Sequence, residues 1–175
     1  QTRKKELFSG GPGIIRAIKM ILGFKEGIYD NDGLDRFLRK YYDPSDTSIP
    51  FIVGSVNLHT SEYNEFKITP GSKATSWREE EIYKAIIAST SIPILFPPVR
   101  NLGRNKNHMF SDGGLRNIAP LRSVINRDVD EILVITTSPR HLGTTARSLN
   151  TPFEIAERSF DILLNEIVRE DIDSV

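Results

Sequence analysis

Ala88-Ser89-Thr90-Ser91-Ile92-Pro93, then Phe96-Pro97-Pro98-Val99, then Asp112-Gly113-Gly114-Leu115 follow one another in the middle of this 175-residue chain. The first run reads as a small-residue helix end. Ile92-Pro93 and Pro97-Pro98 then force an ordered, extended loop, because proline fixes φ and removes a donor. Residues 108–111 read as a short strand that Asp112-Gly113-Gly114 closes. An aspartate at a strand end presents its carboxylate at the sheet edge, where ligands bind in open α/β folds. The two glycines permit positive φ and let another chain or a substrate approach the backbone closely. Asp-Gly is first of all a turn signal, so the tripeptide alone carries little.

Working upstream, Ser76 and Glu79 form a capping box for a helix beginning near Trp77, with Ile82, Tyr83, Ile86 and Ile87 as its buried face. Residues 51–58, Phe-Ile-Val-Gly-Ser-Val-Asn-Leu, predict a strand covered on both faces, as in a parallel sheet flanked by helices. Residues 57–68 read as a hairpin-like excursion turning at 62–64. A helix from about Gly33 carries the stripe Leu34, Phe37, Leu38 and Tyr41, with N-cap candidates Asp30, Asn31 and Asp32 before it and Asp43-Pro44 after it. Still earlier, Gly10-Gly11-Pro12-Gly13 breaks structure before Ile14, Ile15, Ile18, Ile21 and Leu22 recur at helical spacing. Downstream, residues 104–107 predict a polar turn, 120–126 a helix and 131–136 a second central strand. A long helix opens at Thr151, with Pro152 at its first position and Glu154 completing a capping box; its stripe is Phe153, Ala156, Phe160, Leu163, Leu164 and Ile167. Helices alternating with apolar strands imply an α/β layered domain.

Composition bounds the chemistry. Lysine plus arginine and aspartate plus glutamate both number 23, and a nucleic-acid partner would ask for a net basic surface. No run approaches the length of a membrane span, so lipid contact is expected to be peripheral and the location cytoplasmic or at a membrane surface. Cysteine is absent, which removes disulfides, thiol catalysis and cysteine metal sites. His59, His108 and His141 lack metal-ligand spacing, and neither a metal nor a cofactor is expected. The chain opens on Gln1, without a methionine or signal peptide, and an upstream segment is expected.

The three central runs, in this order and at this distance, resemble the C-terminal half of patatin-like phospholipases. Gly27-Ile28-Tyr29-Asp30 with Leu34 is similar to that family's segment before a helix, and residues 51–66 to its strand and hairpin, with Ser61 where glycine is common. Asn117-Ile118-Ala119-Pro120-Leu121 resembles the loop after the aspartate, 130–137 the next strand, and Asn165-Glu166-Ile167 with Asp171 the closing helix. The resemblance runs from about Gly27 to the end, so residues 1–175 are expected to be part of one patatin-like domain. It implies a three-layer α/β/α sheet domain, represented by its later strands and helices. It also implies hydrolysis of phospholipid or related acyl esters by a Ser–Asp dyad, in which Asp112 takes the serine proton directly as general base. Gly113 and Gly114 complete that motif. Ile92, Pro93, Leu95 and Phe96 are the expected pocket residues, desolvating the carboxylate and facing an acyl chain.

The attacking serine is not found. No Gly-x-Ser-x-Gly elbow occurs in the chain. Gly54-Ser55 is the nearest lure, but Asn57 follows and the segment fits a later strand. Ser9-Gly10-Gly11-Pro12-Gly13 is a poor oxyanion loop, since its proline removes a donor, and it reads better as a helix-start loop. Arg100 and Arg104 read as solvated turn charges rather than head-group ligands. The serine is therefore expected upstream, and the chain alone is expected to be inactive. Exposed apolar sheet faces would then pair it with that missing part or with another copy. Two rivals stand beside this reading. One is a non-catalytic patatin-like module that binds lipid or a partner. The other is a nucleotide-binding α/β domain, which would need a glycine-rich turn directly after a strand, and none is present.

Overall fold

Helix α1 (Asp32–Tyr41) carries Asp32 and Asp35 in its first turn and Arg39 and Lys40 in its last, the order the helix dipole favours. Asp35 and Arg39 pair one turn apart at 2.9 Å, and Arg39 also reaches Glu80 at 2.8 Å. The computed structural model describes residues 26–69, 79–125, 129–136, 139, 142–145 and 148–173. The expected helix over 14–22, the loop at 9–13, the capping residue Ser76 and His141 lie outside these residues. Contacts divide the chain into two units, Gln1–Gly113 and Gly114–Val175.

In the first unit, β1 (Phe51–Asn57), β2 (Tyr63–Ile68), β3 (Val99–Leu102) and β4 (Asn105–Asp112) form one sheet in the order β2-β1-β4-β3. Every pairing in it is antiparallel, which corrects the parallel arrangement expected of 51–58. An apolar run also suits the second strand of an antiparallel sheet that is covered locally. Helix α2 (Glu79–Ser89) does that covering. Its Ala85 and Ala88 pack with Phe66, Phe110 and Leu102, against which Val53 and Val99 also rest. Burying each of the three large side chains contributes roughly 1.5–3 kcal/mol. Small alanines let the helix approach the sheet closely. Ile82, Tyr83 and Ile87 are buried as expected, whereas Ile86 is half-exposed.

Several local expectations shift. The hairpin turns over 58–62, not 62–64, because the Asn57 side-chain oxygen accepts from His59 N–H (3.0 Å) and Thr60 N–H (3.4 Å) and starts the reversal early. Ser61 within it has φ 60°, the conformation glycine adopts most readily. The polar turn expected at 104–107 shrinks to Gly103-Arg104, with Gly103 at φ 64° and Leu102 opposite Asn105. Asn105–Asn107 instead begin β4, irregularly, with Asn107 N–H held by the Asn101 side chain at 2.9 Å. Tyr41 is 56% exposed and does not join a core.

The second unit holds α3 (Arg122–Ile125), which begins two residues later than expected, and α4 (Pro152–Asp173). The capping box is present: Glu154 N–H donates to Thr151 Oγ1 at 3.2 Å and Thr151 N–H to Glu154 Oε2 at 2.9 Å. Among the described residues the buried positions of α4 are Asn165 and Val168; Phe160, Leu164 and Ile167 of the expected stripe are half-buried, and Ala156 and Leu163 are exposed. Asn165 is buried because its amide donates to the Pro139 carbonyl at 2.8 Å. Residues 131–136 form no strand, and Leu133 and Ile135 are 82% and 83% exposed. A strand exists only through a hydrogen-bonded neighbour, and among the described residues this unit contains none. Among the described residues no helix is long and apolar enough to cross a membrane.

Candidate functional site

Asp112 is the last residue of β4, half-buried, and a single 3₁₀ turn (Gly113–Leu115) follows it rather than a hairpin. Its position is fixed on two sides. Laterally it stands opposite Ser55 of β1. From the other side, Asp112 N–H donates to the Ser91 carbonyl at 3.0 Å, and the Ser111 hydroxyl donates to the same oxygen at 2.6 Å. The strand tip and the loop after α2 are therefore tied together at one acceptor.

Gly113 is buried against β1, where a Cβ would stand 2.6 Å from the Gly54 carbonyl oxygen and 3.2 Å from the Tyr63 ring. Here glycine permits the close approach of two backbones. At Gly54 the neighbour is a side chain instead: a Cβ there would overlap the Tyr63 hydroxyl unless that side chain moved. Gly114 is half-buried and begins the second unit.

The loop between α2 and β3 carries the four expected pocket residues. Ile92 is 38% exposed, and Pro93, Leu95 and Phe96 are half-buried. Its fold follows from its sequence: α2 ends as Thr90 and Ser91 N–H groups donate to Ile87 and Ala88 carbonyls, and Phe96 N–H closes a turn on Ile92 at 2.9 Å. Between them Ile94 has φ 73°. A β-branched residue in that region costs on the order of 1–3 kcal/mol and persists only where its surroundings over-determine it. Residues 27–29 supply that restraint. Ile28 and Tyr29 N–H groups donate to the Ile94 and Leu95 carbonyls at 2.9 and 2.8 Å. Tyr29 packs on Phe96 at 5.6 Å. Gly27 lies so close that a Cβ would meet Pro97 N at 2.6 Å.

Two residues outside the expected set hold this arrangement. Ser91 is fully buried, and its hydroxyl donates to the Ile87 carbonyl at 2.7 Å. Asn31 donates from Nδ2 to the Pro97 carbonyl at 3.0 Å and to Ser91 Oγ at 3.4 Å. The sequence marks Asn31 only as one of three capping candidates, and nothing local shows that its amide is used elsewhere.

The decoys resolve on geometry. Ser55 faces Asp112 across the ladder, yet it is 0% exposed, its hydroxyl lacks a partner, and it sits within a strand rather than on an elbow. His59 and His108 stack at 4.9 Å. Asn57 donates to His108 Nδ1 at 2.8 Å, as the two bonds to its oxygen require, and Met109 N–H donates to His59 Nδ1 at 3.2 Å. These imidazoles brace the turn. Arg100 pairs with Glu26 on the surface.

No curated protein and no solved structure matches the chain. A family model described as Patatin-like phospholipase matches residues 5–125, a stretch that begins upstream of Gly27, takes in β1 to β4, and ends before α4. That match spans well over half of the sequence and includes Asp112, so the chain belongs to the patatin-like phospholipase family.

Proposed function

We propose that this chain supplies the general base of a lipid acyl hydrolase, with Asp112 taking the proton of a serine that lies outside these 175 residues. The family is one of lipid acyl hydrolases, which supports the reaction class. The observation that carries the role of Asp112 is its anchorage: a half-buried aspartate at a strand tip, held through its own N–H by Ser91, beside a glycine that admits no side chain. In this reading the serine oxygen attacks the acyl carbonyl carbon as its proton passes to Asp112. Collapse of the tetrahedral species releases the alcohol, which takes that proton, and water then cleaves the acyl-enzyme. Leu95, Phe96 and the partly exposed Ile92 line the approach and exclude water from the carboxylate. Peripheral contact with a lipid surface follows from such a substrate.

Placing the serine elsewhere rests on the absence of a Gly-x-Ser-x-Gly elbow in the sequence and on the burial of Ser55. The described sheet would then be the later part of a three-layer domain, with residues 1–175 as the later half of that domain. Residues 131–136, with Leu133, Val134 and Ile135 exposed, would be completed by pairing with the remaining part or with a second copy. The missing elbow also favours a second reading, a non-catalytic module that binds lipid or a partner.

The test joins the chain to its upstream segment and follows hydrolysis of a short-chain nitrophenyl ester, with fluorophosphonate labelling. Asp112→Asn is expected to lower kcat/KM by about 10²–10⁴-fold, the usual worth of a positioned base. The isolated chain is expected to take no label. Full activity in Asp112→Asn would overturn the assignment, as would labelling of the isolated chain. Vesicle binding without turnover would favour the binding module.

A further inference from the structure

Asn31 occupies the N-cap position of α1, where asparagine ordinarily turns its side-chain oxygen back onto the first free N–H groups of its helix. It does not do so here. Its backbone is helical, with φ −87° and ψ −3°, instead of extended, and its side chain makes no capping bond. The amide is spent on residues 60 and 66 positions away in sequence, Ser91 and Pro97. A residue well suited to capping has been turned away from its helix to hold a loop.

What that loop holds gives the contact its meaning. The Pro97 carbonyl and the Ser91 hydroxyl receive the two Asn31 contacts, and the Ser91 carbonyl receives Asp112 N–H and the Ser111 hydroxyl. The buried Ser91 is thus gripped at both ends, by α2 and Asn31 on one side and by the tip of β4 on the other. The loop between these points contains the left-handed Ile94, so it stays closed only while its restraints are in place. Releasing the Asn31 end would let Ser91 drift, and Asp112 with it.

We propose that Asn31 is a positioning residue for Asp112, acting through Ser91. This rests on the reading of Asp112 as general base, although the anchoring itself can be tested without turnover. The first experiment uses this chain. Amide hydrogen exchange is followed by NMR in Asn31→Ala and in Asn31→Asp, which preserves shape while replacing the donor with an acceptor. Exchange at Asp112 N–H is expected to rise about fivefold, the factor that one lost neutral hydrogen bond carries. Leu58 N–H, bonded to Met109 at the other end of the β1–β4 pairing, is expected to stay within about twofold. Unchanged exchange at Asp112 overturns the proposal. An equal rise at both amides overturns it too, since that is the signature of general destabilisation.

The second experiment uses the chain joined to its serine-bearing segment. Asn31→Ala is expected to lower kcat at least about tenfold with KM within about twofold, because a displaced base slows the chemical step and leaves substrate binding intact. A changed KM with unchanged kcat contradicts positioning. If the wild-type joined protein hydrolyses nothing, the hydrolase reading falls by itself, and the exchange measurement still decides whether Asn31 anchors Asp112.

Discussion

Replacing Gly113 with alanine tests whether the tip of β4 is held by backbone contact. The added Cβ would stand 2.6 Å from the Gly54 carbonyl oxygen and 2.8 Å from its carbon, with the Tyr63 ring at 3.2 Å. The two nearest atoms are main chain in β1, which is paired on both edges and cannot swing aside. Ordinary contact begins near 3.4 Å, so the strand tip must retreat by about 0.8 Å or the ladder must open. Overpacking of this kind costs about 1–3 kcal/mol, which for a chain of this length lowers Tm by about 2–12 °C. Thermal unfolding by circular dichroism measures it, with two controls. Gly54→Ala meets first the Tyr63 hydroxyl, the far end of a side chain that can turn away, and should lose less. Gly143→Ala meets nothing within 4 Å and should be neutral or stabilising by up to about 1 kcal/mol, through a less flexible unfolded chain. A Gly113→Ala protein that melts with the Gly143→Ala protein would refute the close-approach argument, and with it the account of how Asp112 is placed.

Two further outcomes concern the helix ends and turns. Thr151→Ala removes the hydroxyl that accepts Glu154 N–H at 3.2 Å and should destabilise α4 by about 1 kcal/mol, read as a loss of helical signal on mild heating; no change would mean the capping box is redundant. The Ser45 hydroxyl and backbone N–H hold the Asp43 carboxyl below the usual carboxylate range. Its ionised form is therefore favoured on folding, so its contribution is present above about pH 4 and is lost as pH falls below that. Asp43→Asn keeps an oxygen acceptor for Ser45 without the charge, so its small stability deficit at pH 7 should be smaller at about pH 3 in urea unfolding. An identical deficit at both pH values would contradict the linkage.

Much of the element content could be read from local chemistry. The capping box at Thr151 and Glu154, the helix ended by Asp43-Pro44, and the strand closed at Asp112 depend on residues within a few positions of one another, and all are present. Family membership was legible for a similar reason: the Ser-Ile-Pro, Phe-Pro-Pro and Asp-Gly-Gly runs constrain backbone geometry locally, and they fall within residues 5–125. Strand direction was not legible. An apolar run such as 51–58 fits either sense of pairing, and only the partners β2 and β4 settle it. The apolar residues 131–136 went wrong in the same way, since periodicity cannot say whether a neighbouring strand exists.

The amino-acid sequence alone determined that a small-residue helix end, a proline-stiffened loop and an aspartate at a strand tip would follow in order, because glycine, proline and capping residues act on their own backbone. Only the tertiary structure decided that these pieces meet at the Ser91 carbonyl, that Ser55 is sealed opposite Asp112, and that Asn31 serves a loop rather than its own helix. Such contacts join residues up to 66 positions apart. Their partners are chosen by packing, which no local preference encodes.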